Sequence, residues 1–285
     1  MPSLTLAQIE DLAHRALLAS GASESNARIV AKSLAAAEAD GIASHGLLRL
    51  PTYCAHLRSG KVRGDAQPAI FVSGPAALRV DAANGFAHPA IEIALARLAE
   101  HAHSQGIAAA SIFNSYNSGV MGHHVERLAD MGLVGLGFAN APAVVAPWGG
   151  RTPRFGTNPI AFSAPVAGGD PIVIDQACSV VARGEVLLKA ERNEPVPEGW
   201  GFDDSGQPTT AARAILDGGS MAPFGGYKGA ALALMVEVLA ATLTGALASA
   251  DAGSLTTDDG KPAGVGQLFI AISPDRFSVN FQERT

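Results

Sequence analysis

Residues Gly106–Asn140 read GIAAASIFNSYNSGVMGHHVERLADMGLVGLGFAN. An apolar run, GIAAASIF, gives way to the polar loop NSYNSG, then to a helical segment, MGHHVERLADMG, and then to a second apolar run, LVGLGFAN. Strand, helix and strand follow one another within a single short window, and that alternation argues for an α/β core. On the N-terminal side, Pro89 opens IEIALARLAEHAHSQ, a helix that stops at Gly106. Before it, AIFVSG and ALRVDA, between Ala69 and Ala82, read as two strands about a Pro-containing turn. The first 60 residues read as helical. Thr5 and Gln8 form a T-x-x-Q capping box, Leu6, Ile9, Leu12 and Leu17 recur at helical spacing, and Gly21 ends the run. A second helix is expected from about Ser23 to Asp40, ended by Gly41.

On the C-terminal side, Ala141 to Pro165 (APAVVAPWGGRTPRFGTNPIAFSAP) carries so much Pro and Gly that it predicts a series of fixed turns, the kind of loop on which sites are built. PIVIDQA, 171–177, predicts a buried strand ending in a carboxylate, and SVVARGEVLLKAER, 179–192, a helix. Asn193 to Thr210 reads as a turn-rich connection. After PFGGYKG come GAALALMVEVLAATLTG, 229–245, expected to be the longest apolar helix, and the strand GQLFIAIS, 266–273. No repeat period is present. The expected division is an N-terminal helical region over 1–66 and an α/β domain over 67–285.

Composition narrows the class. The 285 residues hold 20 Lys+Arg against 26 Asp+Glu, a net charge of −6, which argues against a nucleic-acid surface. With 48% hydrophobic residues the chain can bury a sizeable core and is not disordered. The two apolar stretches long enough to suggest a membrane span are interrupted, one by Glu237 and the other by Pro142 and Pro147. Cys54 and Cys178 show neither disulfide-framework nor zinc spacing. The start, MPSLTLAQIED, lacks a basic region followed by an apolar segment, so a soluble cytoplasmic protein is expected.

The most informative stretch for chemistry is DGIASHGLLRLPTY, Asp40–Tyr53. His45 and Arg49 stand four apart before Pro51, so one helical turn would put them on the same face. Histidine exchanges protons near neutrality, and the Arg fork matches a carboxylate. The plainer alternative is a helix-capping His45 and a surface ion pair for Arg49. Gly135 and Gly137 give G-x-G after a strand, but Asn140 stands where a dinucleotide fingerprint needs its third glycine, and no P-loop occurs. GGYKG, 225–229, and the loop Asn114–Gly122 each precede a helix whose free N–H groups could hold an anion, or are ordinary turns. GTNP, 156–159, suits substrate contact or a turn equally. His123 and His124, about 100° apart on a helix, do not share a metal unaided. Glu185 either faces solvent or is held near a partner such as His45.

Taken together and in this order, SHGLLRLPTY, APWGGRTPRFGTNPIAFSAP, IVIDQA and PFGGYKGAALALMVEVLAATLTG resemble the malate/L-lactate dehydrogenase family of NAD(P)-dependent oxidoreductases, from about Leu6 to Phe281. The resemblance implies a non-Rossmann α/β fold, in which the N-terminal helical region stands on the substrate side of a mixed-sheet cofactor-binding and catalytic domain. It also implies a homodimer with its site near the subunit interface. Within the family, ARGEV, DGGSMAPFGGYKG and VDAANGFAHPA look like the branch that reduces the cyclic imino acids Δ1-pyrroline-2-carboxylate and Δ1-piperideine-2-carboxylate to L-proline or L-pipecolate. Glu185 stands where dehydrogenase members carry Lys. By resemblance Ser44 and Glu185 flank His45 in a charged relay that favours its protonated form, Arg49 holds the substrate carboxylate and Thr157 lies nearby. Asn117, Ser118, Gly119, Val120, Met121, Asp175, Gln176, Ala177, Tyr227 and Lys228 would touch the cofactor, NADPH in preference to NADH. Tyr116 and Asn117 depart from the family's His-containing loop. Relatives also continue beyond the position of Thr285, so a C-terminal segment that helps bind nucleotide is expected to be absent.

Three other readings compete. The same scaffold supports a 2-hydroxy acid dehydrogenase acting on lactate or malate. A hydrolase built on Ser44 and His45 lacks a G-x-S-x-G elbow. A non-catalytic binding protein would show no affinity for a nicotinamide cofactor.

Overall fold

The computed structural model describes residues 4–258 and 261–285. Helix α1 (Leu6–Ala19) starts at the capping box: Thr5 Oγ1 accepts the Gln8 N–H, and Gln8 Oε1 accepts the Thr5 N–H at 2.9 Å. Ser23 caps α2 (Glu24–Ala39), and Gly41 leaves it in the left-handed region at φ 72°. Ala13 and Leu17 of α1 pack on Ala27, Val30 and Leu34 of α2. Tyr53 and Leu57 of α3 (Leu50–Arg58), which has Pro51 in its first turn, close this helical cluster.

Strands β1 (Ala69–Gly74) and β2 (Ala77–Asp81) form an antiparallel hairpin. Helix α4 (Ala87–Gln105) carries the chain back to β3 (Ile107–Ser115), parallel to β2. Helix α5 (Met121–Asp130) leads to β4 (Val134–Ala139), and β5 (Ile160–Ala164) and β6 (Ile172–Gln176) extend the sheet. Helix α6 (Arg183–Glu191) follows. Strand β7 (Gly201–Phe202), helix α7 (Ala212–Leu216) and strand β8 (Ser220–Met221) form a small annex, and α8 (Tyr227–Glu237) runs into one turn of π-helix over Val238–Thr242. The last strand, β9 (Val265–Ile272), inserts between β3 and β4, antiparallel to both, which gives the mixed order β1-β2-β3-β9-β4-β5-β6. Ile91, Leu95 and Leu98 of α4 with Val125 and Leu128 of α5 cover one face, and Val236 and Ala240 with Val186 cover the other. The result is an α/β fold with a helical N-terminal region.

Three details differ from the sequence expectations. Strand β6 is exposed along its whole length, because it is the sheet edge, and its apolar side chains Ile172, Val173 and Ile174 remain only partly covered. A continuous apolar run cannot by itself distinguish a central strand from an edge. The longest helix is α4, at 19 residues, since the apolar segment near 229–245 passes from α- to π-geometry after Glu237. The helix expected over 179–192 begins only at Arg183. Gly135 and Gly137 prove to be packing glycines. A Cβ on Gly135 would stand 2.7 Å from Ser163 Oγ, and one on Gly137 2.9 Å from the Met121 methyl and 3.0 Å from Val125, so bare backbone lets α5 lie against β4. Among the described residues no helix is long and apolar enough to cross a membrane.

Candidate active site

Between the helical region and the sheet lies a cavity of about 330 Å³. His45 and Arg49 both line it, as their spacing predicts, although the backbone reaches that result by two short 3-10 turns, Ala43–His45 and Leu47–Arg49, rather than one α-turn. Gly46 separates the turns. The Glu38 side chain fills the place of its missing Cβ, and Glu38 Oε1 accepts the Leu47 N–H at 2.7 Å. Arg49 Nε donates to the Ser44 carbonyl at 2.8 Å, which fixes the stem and leaves the outer fork turned to the cavity.

Ser44 Oγ lies 3.1 Å from His45 Nδ1. In the tautomer with Nδ1–H donating to the Ser44 hydroxyl oxygen, Nε2 is unprotonated and free to accept. Burial, with smaller contributions from Arg49 and His123, lowers the His45 pKa to about 4. The direction of this shift runs against the protonated form expected of a charged relay. Glu185 is exposed in the first turn of α6 and is not among the cavity residues. Its neighbour Gly184 is the contact point, since a Cβ there would stand 3.1 Å from Ser44 Cβ.

On the far side of the cavity stand Asn117, Gly119, Val120 and Met121 at the start of α5, and Asp175, Gln176 and Ala177 at the end of β6. The two groups are tied together, because Asp175 Oδ2 accepts the Gly122 N–H at 2.7 Å. The helix start proposed for an anion is thus already answered by a carboxylate. Burial raises the Asp175 pKa even though the residue as a whole lies on the exposed edge strand, and the Gly122 N–H opposes the shift. Asn117 Oδ1 accepts both the Tyr53 hydroxyl at 2.8 Å and the Gly119 N–H at 3.0 Å. Tyr116 turns away into the core, its hydroxyl 2.6 Å from His56 Nδ1. Ser118 is buried, and its carbonyl pairs with His124 Nε2 at 2.7 Å, while His123 pairs with Asp40 at 2.7 Å. Thr157 lines the cavity and is positioned from behind. Asn158, left-handed at φ 42° and fully buried, donates to Glu237 Oε2 at 2.9 Å, and Ser249 holds the same carboxylate. Tyr227 and Lys228 are exposed outside the cavity, Tyr227 in edge contact with Trp148 at 6.2 Å.

Arg183 was missed by the sequence reading. It lines the cavity alongside Arg49, and its signal, an Arg just ahead of Gly184 and Glu185, was overshadowed by the carboxylate. Glu38 was also missed.

The malate/L-lactate dehydrogenase family model matches residues 4–285. The chain belongs to this family. It is thereby an oxidoreductase of an NAD(P)-dependent kind. A (2R)-3-sulfolactate dehydrogenase (NADP(+)) of Chromohalobacter salexigens is 48% identical over 280 residues, covering 98% of this chain and 84% of that protein. A Δ1-pyrroline-2-carboxylate/Δ1-piperideine-2-carboxylate reductase of Pseudomonas aeruginosa is 47% identical, covering 97% and 82%. The crystal structure of Δ1-piperideine-2-carboxylate reductase from Pseudomonas syringae superposes with a TM-score of 0.94 at 43% identity, over all of this chain and 86% of that one.

The cavity of this family member fits the nicotinamide end of such a cofactor. Val120, Met121, Pro142 and Pro159 offer apolar surface for a flat ring, while Asn117, Thr157 and Gln176 offer polar groups at its edge. Gly119, at φ 69°, lies so close to His88 that a Cβ would stand 2.9 Å from its Nε2, which keeps the loop backbone tight beside the cavity.

Proposed function

We propose that this oxidoreductase reduces a cyclic imino acid, Δ1-pyrroline-2-carboxylate or Δ1-piperideine-2-carboxylate, to L-proline or L-pipecolate with NAD(P)H, NADPH being preferred. The observation that carries the reading is that His45 and Arg49 line one cavity, with Arg49 Nε fixed on the Ser44 carbonyl, and the burial that disfavours the charged form of His45 supports it. A ketone must receive a proton from the protein as its oxygen is reduced, and a histidine with a pKa of about 4 carries none to spare at neutral pH. A cyclic imine can arrive already protonated at nitrogen. A neutral imidazole accepts a hydrogen bond from that cation where an imidazolium would repel it.

Arg49 pairs with the carboxylate and so fixes the adjacent C2. Ser44 sets the orientation of His45, and Thr157 closes the side held by Asn158 and Glu237. Asn117, Gly119–Met121 and Asp175–Ala177 would hold the cofactor, which supplies the hydride to C2 when bound, and Ser118 would support their loop from behind through the pairing of its carbonyl with His124. The iminium already carries the proton that remains on the product amine, so His45 need only hold it in place. In the reverse direction His45 is free to take a proton from the ammonium. Glu185 makes no contact with substrate in this scheme, and Tyr227 and Lys228, outside the cavity, make none with the nicotinamide end of the cofactor.

The relatives reading 2-hydroxy acids support a second possibility on the same scaffold, NADP-linked oxidation of a 2-hydroxy acid, and Arg183 in the cavity favours it. Following absorbance at 340 nm with NADPH and then NADH, against the two imines, pyruvate and oxaloacetate, separates the readings. Turnover of keto acids without imines would overturn the first. A homodimer is part of the proposal, supported by the uncovered apolar edge strand β6, and sedimentation equilibrium tests it.

A further inference from the structure

We propose that Tyr53 is a positioning residue for the cofactor: its hydroxyl fixes the Asn117 amide so that the NH2 end, left without a partner, donates to the carboxamide oxygen of the nicotinamide ring. The inference deepens the proposed function and rests on its assignment of the loop from Asn117 to Met121 to the cofactor.

The two ends of a side-chain amide are told apart by what faces them. Asn117 Oδ1 accepts the Gly119 N–H at 3.0 Å, and a backbone N–H can only donate, so the atom that meets it is the oxygen. The same oxygen accepts the Tyr53 hydroxyl at 2.8 Å. Both of its lone pairs are thereby engaged, and the amide is held at one end from two directions. The other end is open. Among the described residues Asn117 Nδ2 has no hydrogen-bond partner, and it is not a buried atom either. Asn117 is half-buried and lines the cavity, so its NH2 group is a donor offered there.

Tyr53 is placed to hold this orientation. It is buried in α3, with the rings of Phe86 and Tyr116 at centroid distances of 5.3 and 5.6 Å. The Tyr116 hydroxyl is committed to His56, which leaves Asn117 Oδ1 as the acceptor for Tyr53. Burial, opposed by the nearby Arg49, pushes the Tyr53 pKa up to about 12, so the phenol keeps its proton and stays a donor. Gly119, at φ 69°, sets the backbone of the turn against His88, which leaves the loop little room to carry the amide elsewhere.

The chemistry of the donor assigns its ligand. An uncharged amide with both N–H bonds free complements a neutral carbonyl oxygen, whereas the substrate carboxylate already has the Arg49 fork. Asn117 shares the cavity wall with Val120 and Met121, whose apolar surface suits the flat ring that bears the carboxamide. Asn117 also departs from the family's His-containing loop. A neutral imidazole has one N–H to give, and the amide has two at every pH.

Cofactor binding without substrate is the test, read by calorimetry on the full chain. NADPH is expected to bind about 5- to 10-fold more tightly than its thionicotinamide analogue, in which sulfur, a weak acceptor, replaces the carboxamide oxygen. Tyr53→Phe keeps the ring contacts and removes only the hydroxyl, and it should cut that preference to under about 3-fold. Asn117→Asp keeps an oxygen for Tyr53 and Gly119 but exchanges the donor for an acceptor, so it should weaken NADPH by at least about 10-fold and abolish the preference. A merely structural role for Tyr53 would weaken both cofactors equally and leave their ratio unchanged, which overturns the proposal. Equal binding of the two cofactors by the wild type overturns it as well. So does a rise in imine KM in Asn117→Asp with the cofactor ratio intact, which would give the amide to the substrate. If neither imine is reduced while the oxygen preference depends on Tyr53 and Asn117, the imine reading fails and this one stands.

Discussion

Glu38 occupies the volume that a side chain at Gly46 would need: a Cβ there would stand 2.2 Å from Glu38 Oε1, the oxygen that accepts the Leu47 N–H. The two 3-10 turns carrying His45 and Arg49 are therefore hinged on a carboxylate from the end of α2.

Gly46→Ala must displace Glu38 and break that hydrogen bond. The expected result is a folded protein destabilised by about 1–3 kcal/mol, with kcat/KM reduced at least about 100-fold because His45 and Arg49 lose their common register. Glu38→Gln keeps the shape and an acceptor, and should cost under about 10-fold. Thermal melts and steady-state rates check both, and full activity in Gly46→Ala would dispose of the hinge.

Glu185 stands apart from the cavity that its place in the sequence suggests. By family resemblance it flanks His45, yet its carboxylate lies in solvent and it is Gly184 that touches Ser44. Glu185→Gln is expected to change kcat by less than about 3-fold, whereas His45→Gln should lower it by about 100-fold or more. A loss in Glu185→Gln comparable to that in His45→Gln would return the carboxylate to the mechanism.

Much of the fold was legible because its signals are local. The Thr5/Gln8 capping box, the glycine stops at Gly21, Gly41 and Gly106, and the alternation around Gly106–Asn140 each depend on a few neighbouring residues. The insertion of β9 between β3 and β4 was not legible, because strand order is decided by pairings between segments far apart in the chain. In the site, His45 and Arg49 announce themselves by spacing. The lowered His45 pKa does not, since its burial and the approach of His123 from α5 exist only after folding. Arg183 stands beside Gly184 and Glu185 in sequence, but only folding brings α6 to the cavity.

Asp175 joins the exposed strand β6 to the first turn of α5 through the Gly122 N–H. Asp175→Ala leaves that donor without its partner and removes a negative charge from the helix start, so stability should fall by about 1 kcal/mol. Because Asn117, Gly119 and Met121 line the cavity on the same turn, the KM for NAD(P)H should rise while the pH profile of kcat is unchanged. Asp175→Asn, which retains an acceptor oxygen, should recover most of the stability. No change in either KM or melting temperature would count against the tie.

Three histidines are held neutral: burial, the largest cause in each case, brings His45 to about 4, His88 to about 3 and His124 to about 4. An unfolded histidine titrates near 6.5, so between that pH and about 4 the unfolded chain binds protons that the folded chain refuses. The stability these groups allow is therefore fully present above pH 6.5 and is lost as pH falls toward 4. At pH 4.5 the loss is about 2 kcal/mol for each group. Urea unfolding at pH 7.5, 6, 5 and 4.5 should show a decline that steepens below pH 6.5, and His124→Asn, which can still donate to the Ser118 carbonyl, should make it shallower. Succinate should partly reverse the decline. Anions bound at Arg49 remove the second cause of the His45 shift and raise its pKa, so binding must take up a proton. Calorimetry in two buffers of different ionisation enthalpy at pH 5.5 reads that uptake directly, and identical heats in the two buffers would show that His45 does not sense the anion.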